Sequence, residues 1–202
     1  MPDQISDGFK RSLELRNESQ YIKALEVLNE AVAGVELTAK DELTYLILKG
    51  TSNFGAYRFK EAFEAGEKAY LLSKKLNLIQ QQFDALYCMC STMFFSRIDE
   101  VKGYIQEMDR LFKILPEAHD NIEREWDLEF AKAQFHGLKL ELDICEQHLF
   151  KSIEIAKRVI SLGLKKVSLG ASYQIASAFY GFKGQHDKAL EYVLMAIDEG
   201  LK

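Results

Sequence analysis

ASYQIASAFYGFKGQHDKALEYVLMAI, residues 171–197, reads as two helices folded against each other. Tyr173, Ala176 and Tyr180 recur at helical spacing, as do Ala189, Val193 and Ala196, and Gly184 lies between the two runs. The reading is a helix, a tight turn at Gly184 and an antiparallel helix. Small side chains stand where the backbones must approach, and aromatics fill the space beside them. The pattern returns upstream as LILKGTSNFGAYRFKEAFEAGEKAY at 46–70 and YIKALEVLNEAV at 21–32. A unit that recurs in this way predicts a repeat architecture.

The small or apolar residue early in each second helix sets the register: Ala24, Ala62, Val101, Leu149 and Ala189, at spacings of 38, 39, 48 and 40 residues. These anchors predict an all-α chain of five helical hairpins in one repeat domain over 1–202, with units at about 3–37, 40–77, 79–116, 119–163 and 166–201. The fourth carries an insertion of about nine residues. Gly34-Val35, Asn77-Leu78 and Gly163-Leu164 read as left-handed helix caps leading into the next unit. Asp99 and Asp120 read as N-caps, with Pro116 just past a helix end. Gly50, inside a helix, predicts a close approach of two helices. Phe83, Leu86, Tyr87, Met89, Met93 and Phe94 make the first helix of the third unit apolar on most sides, which predicts a central position. Gly200-Leu201 repeats the cap signal with nothing after it. Solenoids usually close with a polar capping helix. The expectation is therefore an array that continues beyond residue 202, or an end that docks through Leu190, Leu194 and Ile197.

Composition excludes several classes. Hydrophobic residues make up 48%, prolines number only two, and no stretch alternates as a half-buried strand would. A net charge of −5 without clustered Lys and Arg argues against nucleic acid. Cys88, Cys90 and Cys145 are too few for a disulfide framework and read as reduced thiols. The start MPDQISDGFK has neither a basic region nor an apolar run, and no stretch is long enough to span a membrane. The expectation is a soluble, cytoplasmic protein. His119, His136, His148 and His186 are scattered; Cys145, His148 and Glu141 share a helix face but make at most half a zinc site. With no phosphate-binding loop and no strained turn beside Cys90, the chain is expected to hold no metal or cofactor and not to be an enzyme.

The hairpins at 46–70 and 171–197 resemble the tetratricopeptide repeat, in its variety with units of about forty residues. The resemblance covers the whole chain and is weakest in the third and fourth units. It implies a right-handed α-solenoid whose first helices line a concave groove for peptides or partner proteins. By register, that groove takes Phe9, Leu13 and Arg16; Ile47, Thr51 and Phe54; Phe83, Leu86, Cys90, Met93 and Phe94; Gln134, Leu138 and Glu141; and Gln174 and Ala178. Leu13 and Thr51 stand where chaperone-binding members carry asparagines, so their carboxylate clamp is missing. An apolar middle of Phe54, Phe83, Met93 and Phe94 suits a hydrophobic peptide or an amphipathic helix, and would equally serve as packing between units. The expected function is a protein- or peptide-binding scaffold. The alternatives are a module that self-associates through its last helix, and the repeat part of a peptide-sensing regulator whose effector domain would lie beyond residue 202.

Overall fold

The computed structural model describes residues 2–94, 97–115, 121–163 and 167–201. These form α1 (Pro2–Asn17), α2 (Tyr21–Val32), α3 (Ala39–Gly55), α4 (Phe59–Lys75), α5 (Ile79–Met93), α6 (Ile98–Phe112), α7 (Asn121–Leu138), α8 (Leu142–Ser161), α9 (Leu169–Phe182) and α10 (His186–Gly200). Among the described residues there is no strand, and no helix is long and apolar enough to cross a membrane.

The chain divides into two compact units, Met1–Leu115 and Pro116–Lys202. In the first, α1 pairs with α2, α3 with α4 and α5 with α6; α2 packs on α3, α4 on α5, and α1, α3 and α5 touch in succession. In the second, α7 pairs with α8 and α9 with α10, while α9 packs on both α7 and α8. Within each unit, α2, α4 and α8 thus cover both their own partner and the next first helix, which is the packing of an all-α solenoid.

One turn is used repeatedly. Ser19, Tyr57, Asn77, Leu140 and Gly184 each adopt a left-handed backbone, with φ between 56° and 70°. The following N–H reaches back five residues: Gln20 to Leu15, Arg58 to Asn53, Leu78 to Ser73, Glu141 to His136 and Gln185 to Tyr180, at 2.8–3.0 Å. The left-handed residue's own N–H bonds three residues back, so two orphan carbonyls of the ending helix are satisfied. The next carbonyl accepts the first bond of the new helix, from Ala24, Ala62, Gln82, Cys145 and Ala189.

That bond corrects the register of the fourth unit. Cys145, not Leu149, closes the first turn of α8, so it lies 44 residues after Val101 and 44 before Ala189. Both residues are fully buried one helical turn apart, and periodicity alone cannot choose between them. The N-cap assigned to Asp99 belongs to Arg97, and Asp99 stands in the first turn of α6, where its charge suits the helix dipole. Asp120 and Pro116 lie outside the described residues. Gly200 remains helical rather than forming a left-handed cap, since the Leu201 N–H continues to Ile197, four residues back.

The first unit's core holds two hydrocarbon clusters and no buried charged side chain among the described residues. Ile5, Phe9, Leu28 and Leu48 form one cluster, and Leu43, Leu46, Ala69 and Ala85 another. Gly50 stands at a close approach: a Cβ there would lie 2.9 Å from the Cys88 sulfur. The second unit buries a polar seam across its helices. Trp126 stacks on Phe130 at 4.7 Å and donates its indole N–H to Ser172 Oγ at 3.3 Å, and Ser152 lies 3.4 Å from the same hydroxyl.

Candidate functional site: an aromatic corner and pocket in the first unit

The turn between α3 and α4 carries FGAYRF, residues 54–59. Phe54 ends the amphipathic run of α3, Tyr57 takes the left-handed position, and Phe59 opens α4. The two-bond turn holds these rings outward: Phe54 is 39% exposed, Tyr57 81% and Phe59 42%. They touch one another, Phe54 to Phe59 at 5.9 Å and Tyr57 edge-on to Phe59 at 6.1 Å.

Beside Phe59 an open pocket of about 450 Å³ is lined by Phe59, Phe63, Thr92 and Met93, with Lys60, Glu64 and Glu67 around it. Phe59 and Phe63 are one turn apart on α4, so both rings face the same hollow. Further along, Tyr70 of α4 feels the Glu107 carboxylate of α6. Burial, then the Glu107 carboxylate, raises the Tyr70 pKa, and the phenol stays a donor.

The expected groove separates into three groups. Leu13, Arg16, Ile47 and Thr51 are half-buried in the first unit, and Phe54 is exposed. Arg16 and Thr51 are brought together, Nη1 donating to Oγ1 at 3.0 Å across α1 and α3. Phe9, Phe83, Leu86, Cys90, Met93 and Phe94 are buried. Phe9 belongs to a core cluster, and Phe83 packs its ring 6.3 Å from Phe112 of α6. A helix apolar on most sides is covered on most sides, so α5 offers no open stripe for a partner, and of its residues only Thr92 and Met93 border the pocket. In the second unit Gln134 is half-buried, while Leu138, Glu141, Gln174 and Ala178 are exposed.

Tyr57, Phe59, Phe63, Glu64 and Glu67 escape a groove drawn from first-helix positions because they lie on the turn and the second helix. Their signal is three aromatics within six residues of a turn, where polar residues and glycine are usual.

The titratable residues do other work. His148 Nδ1 lies 2.6 Å from Glu129 Oε2, and Glu141 pairs with His136 Nδ1 at 2.5 Å, so Glu141 and His148 go to different partners. Among the described residues no group of three or more His, Cys, Asp and Glu is placed to hold a metal ion. Burial pushes the Cys88 thiol up to about 12 and Cys145 up to about 11, and raises Cys90 as well, which keeps all three protonated and unreactive. None of the family models, curated proteins or solved structures compared with the chain matches it.

Proposed function

We propose that this chain is a tetratricopeptide-like scaffold of the cytoplasm that binds a protein or peptide segment, and that the working surface is the aromatic corner of Phe54, Tyr57 and Phe59. The observation that carries this reading is the exposure of three rings, with Phe59 touching both Phe54 and Tyr57, beside a pocket. Contiguous exposed aromatics mark interaction sites in soluble proteins, and rigid aromatic anchors carry most of the binding energy where they are used. Half-buried Leu13, Arg16, Ile47 and Thr51 would extend the contact along α1 and α3.

The test is selection from a displayed library of random peptides about twelve residues long, followed by binding to Tyr57→Ala and Phe54→Ala/Phe59→Ala proteins. The expected result is a set of peptides whose affinity falls about tenfold or more on the altered proteins. Peptides indifferent to all three rings would end the reading.

A second reading is favoured by α10, in which no residue is buried. Leu190, Leu194 and Ile197 are 59%, 58% and 53% exposed and share one face, which supports self-association there.

A further inference from the structure

The pocket beside Phe59 differs from the corner in its charge. Phe59, Phe63 and Met93 supply its apolar lining, and among the described lining residues Glu64 and Glu67 stand against one cation, Lys60. Among the described residues neither glutamate makes an ion pair or a hydrogen bond, although ion pairs are frequent elsewhere in the chain, for example Arg110 with Glu107 and Lys113 with Asp109. Two carboxylates outside any ion pair, beside an exposed ring (Phe59) and a half-buried one (Phe63), form a site for one kind of side chain. A guanidinium or ammonium can lie on a ring face and reach a carboxylate at once, while its methylene stem covers the apolar lining. An aliphatic side chain would cover the lining and leave the carboxylates as they are.

We infer that this pocket takes an arginine or lysine side chain of the bound peptide, with an apolar residue of the same peptide on the Phe54–Tyr57–Phe59 corner. The inference rests on the corner being the partner surface. It specifies the partner further, as a basic–apolar peptide segment rather than an apolar helix. Arginine suits the site better than lysine, because its planar head stacks on a ring and still presents a fork of donors to Glu64 or Glu67. Lys60 acts in the opposite sense, as a like charge beside the incoming cation.

The test uses the peptides selected above. Their sequences are compared after selection on the wild-type protein and on Glu64→Gln/Glu67→Gln. One labelled peptide is then titrated in arginine and citrulline forms. The expected result is enrichment of arginine and lysine on the wild type only, with affinity falling roughly five- to thirtyfold on the glutamine variant or with citrulline. Lys60→Gln should bind the arginine peptide more tightly than wild type, an outcome that damage to the fold could not produce. Corner-dependent peptides without basic enrichment, or with equal affinity for wild type and Glu64→Gln/Glu67→Gln, overturn the inference and leave the scaffold reading intact. If no peptide depends on the corner, both fall.

Discussion

Around Phe83 the first unit buries hydrocarbon against hydrocarbon; around Glu129 the second buries a carboxylate among its counter-ions. Among the described residues, the buried polar side chains of Met1–Leu115 are all neutral: Ser12, Ser52, Asn53, Ser73, Gln82 and Thr92. Several of these bond the backbone, as Ser12 does to the Ala24 carbonyl at 2.8 Å. In Pro116–Lys202 the buried set includes Glu123 and Glu129. Glu129, only 5% exposed, meets His148 at 2.6 Å, Lys151 at 3.2 Å and Lys132 at 3.8 Å, and the His136 and His148 rings stack 5.6 Å apart. The same helix pairing therefore has two kinds of interior. One gains from area removed from water, and the other also depends on keeping a charge paired. The proposed binding surface belongs to the unit in which no buried carboxylate is found among the described residues.

Removing a large ring should cost the most in either interior. Phe83→Ala and Trp126→Ala are each expected to lose about 3–5 kcal/mol in urea unfolding followed by circular dichroism. The two differ in the milder change. Phe83→Leu leaves no polar atom behind, whereas Trp126→Phe leaves the Ser172 hydroxyl without its indole donor and should cost about 1 kcal/mol more. Equal costs for the milder pair would remove the distinction between the cores.

The next effect depends on pH. Burial pushes the Glu129 pKa up, but the hydrogen bond from His148 and the charges of Lys132 and Lys151 outweigh it, and the carboxyl is held below its usual range. A depressed carboxylate contributes stability that is present above the unfolded glutamate pKa and lost as pH falls through the folded value. Glu129→Gln should therefore cost about 2–3 kcal/mol at neutral pH, and the gap to wild type should close in acid below the glutamate range. Trp126, the only tryptophan in the sequence, lies in this unit and reports its unfolding by fluorescence. A gap of constant size from neutral to acid pH would sink the argument.

The smallest effect compares turns. Gly184→Ala meets no neighbouring atom within 4 Å and suffers only the left-handed backbone, a loss of about 1 kcal/mol. Leu140 already bears that cost at φ 59°, so Leu140→Gly should be neutral or gain under about 1 kcal/mol. A melting comparison in which both substitutions destabilise equally would show that side-chain contacts, not backbone conformation, govern these turns.

Helices and their turns could be read from the residues because each is written in a few consecutive positions. Gly34, Asn77, Gly163 and Gly184, named from the sequence, all take positive φ. Ser19, Tyr57 and Leu140 do the same without a glycine or asparagine signal, because the two backbone bonds across the turn outweigh the local preference. Gly50 was legible as a close approach, though not its partner Cys88. The candidate site was legible only in part. Phe54 was named from register and is exposed, whereas Phe83, Leu86, Met93 and Phe94, named by the same register, are buried.

What the sequence determined by itself is the local layer: an all-helical chain, helices paired through tight turns, and small residues where helices approach. Hydrophobic periodicity and turn chemistry act over one or two turns of chain, so neighbouring residues carry them in full. What only the tertiary structure decided is which apolar face is covered. The residues of α5 are covered on most sides, and the rings of Phe54, Tyr57 and Phe59 remain outside. Those outcomes depend on helices distant in sequence arriving at the same place. Burial is a property of that arrival, and no single helix contains it.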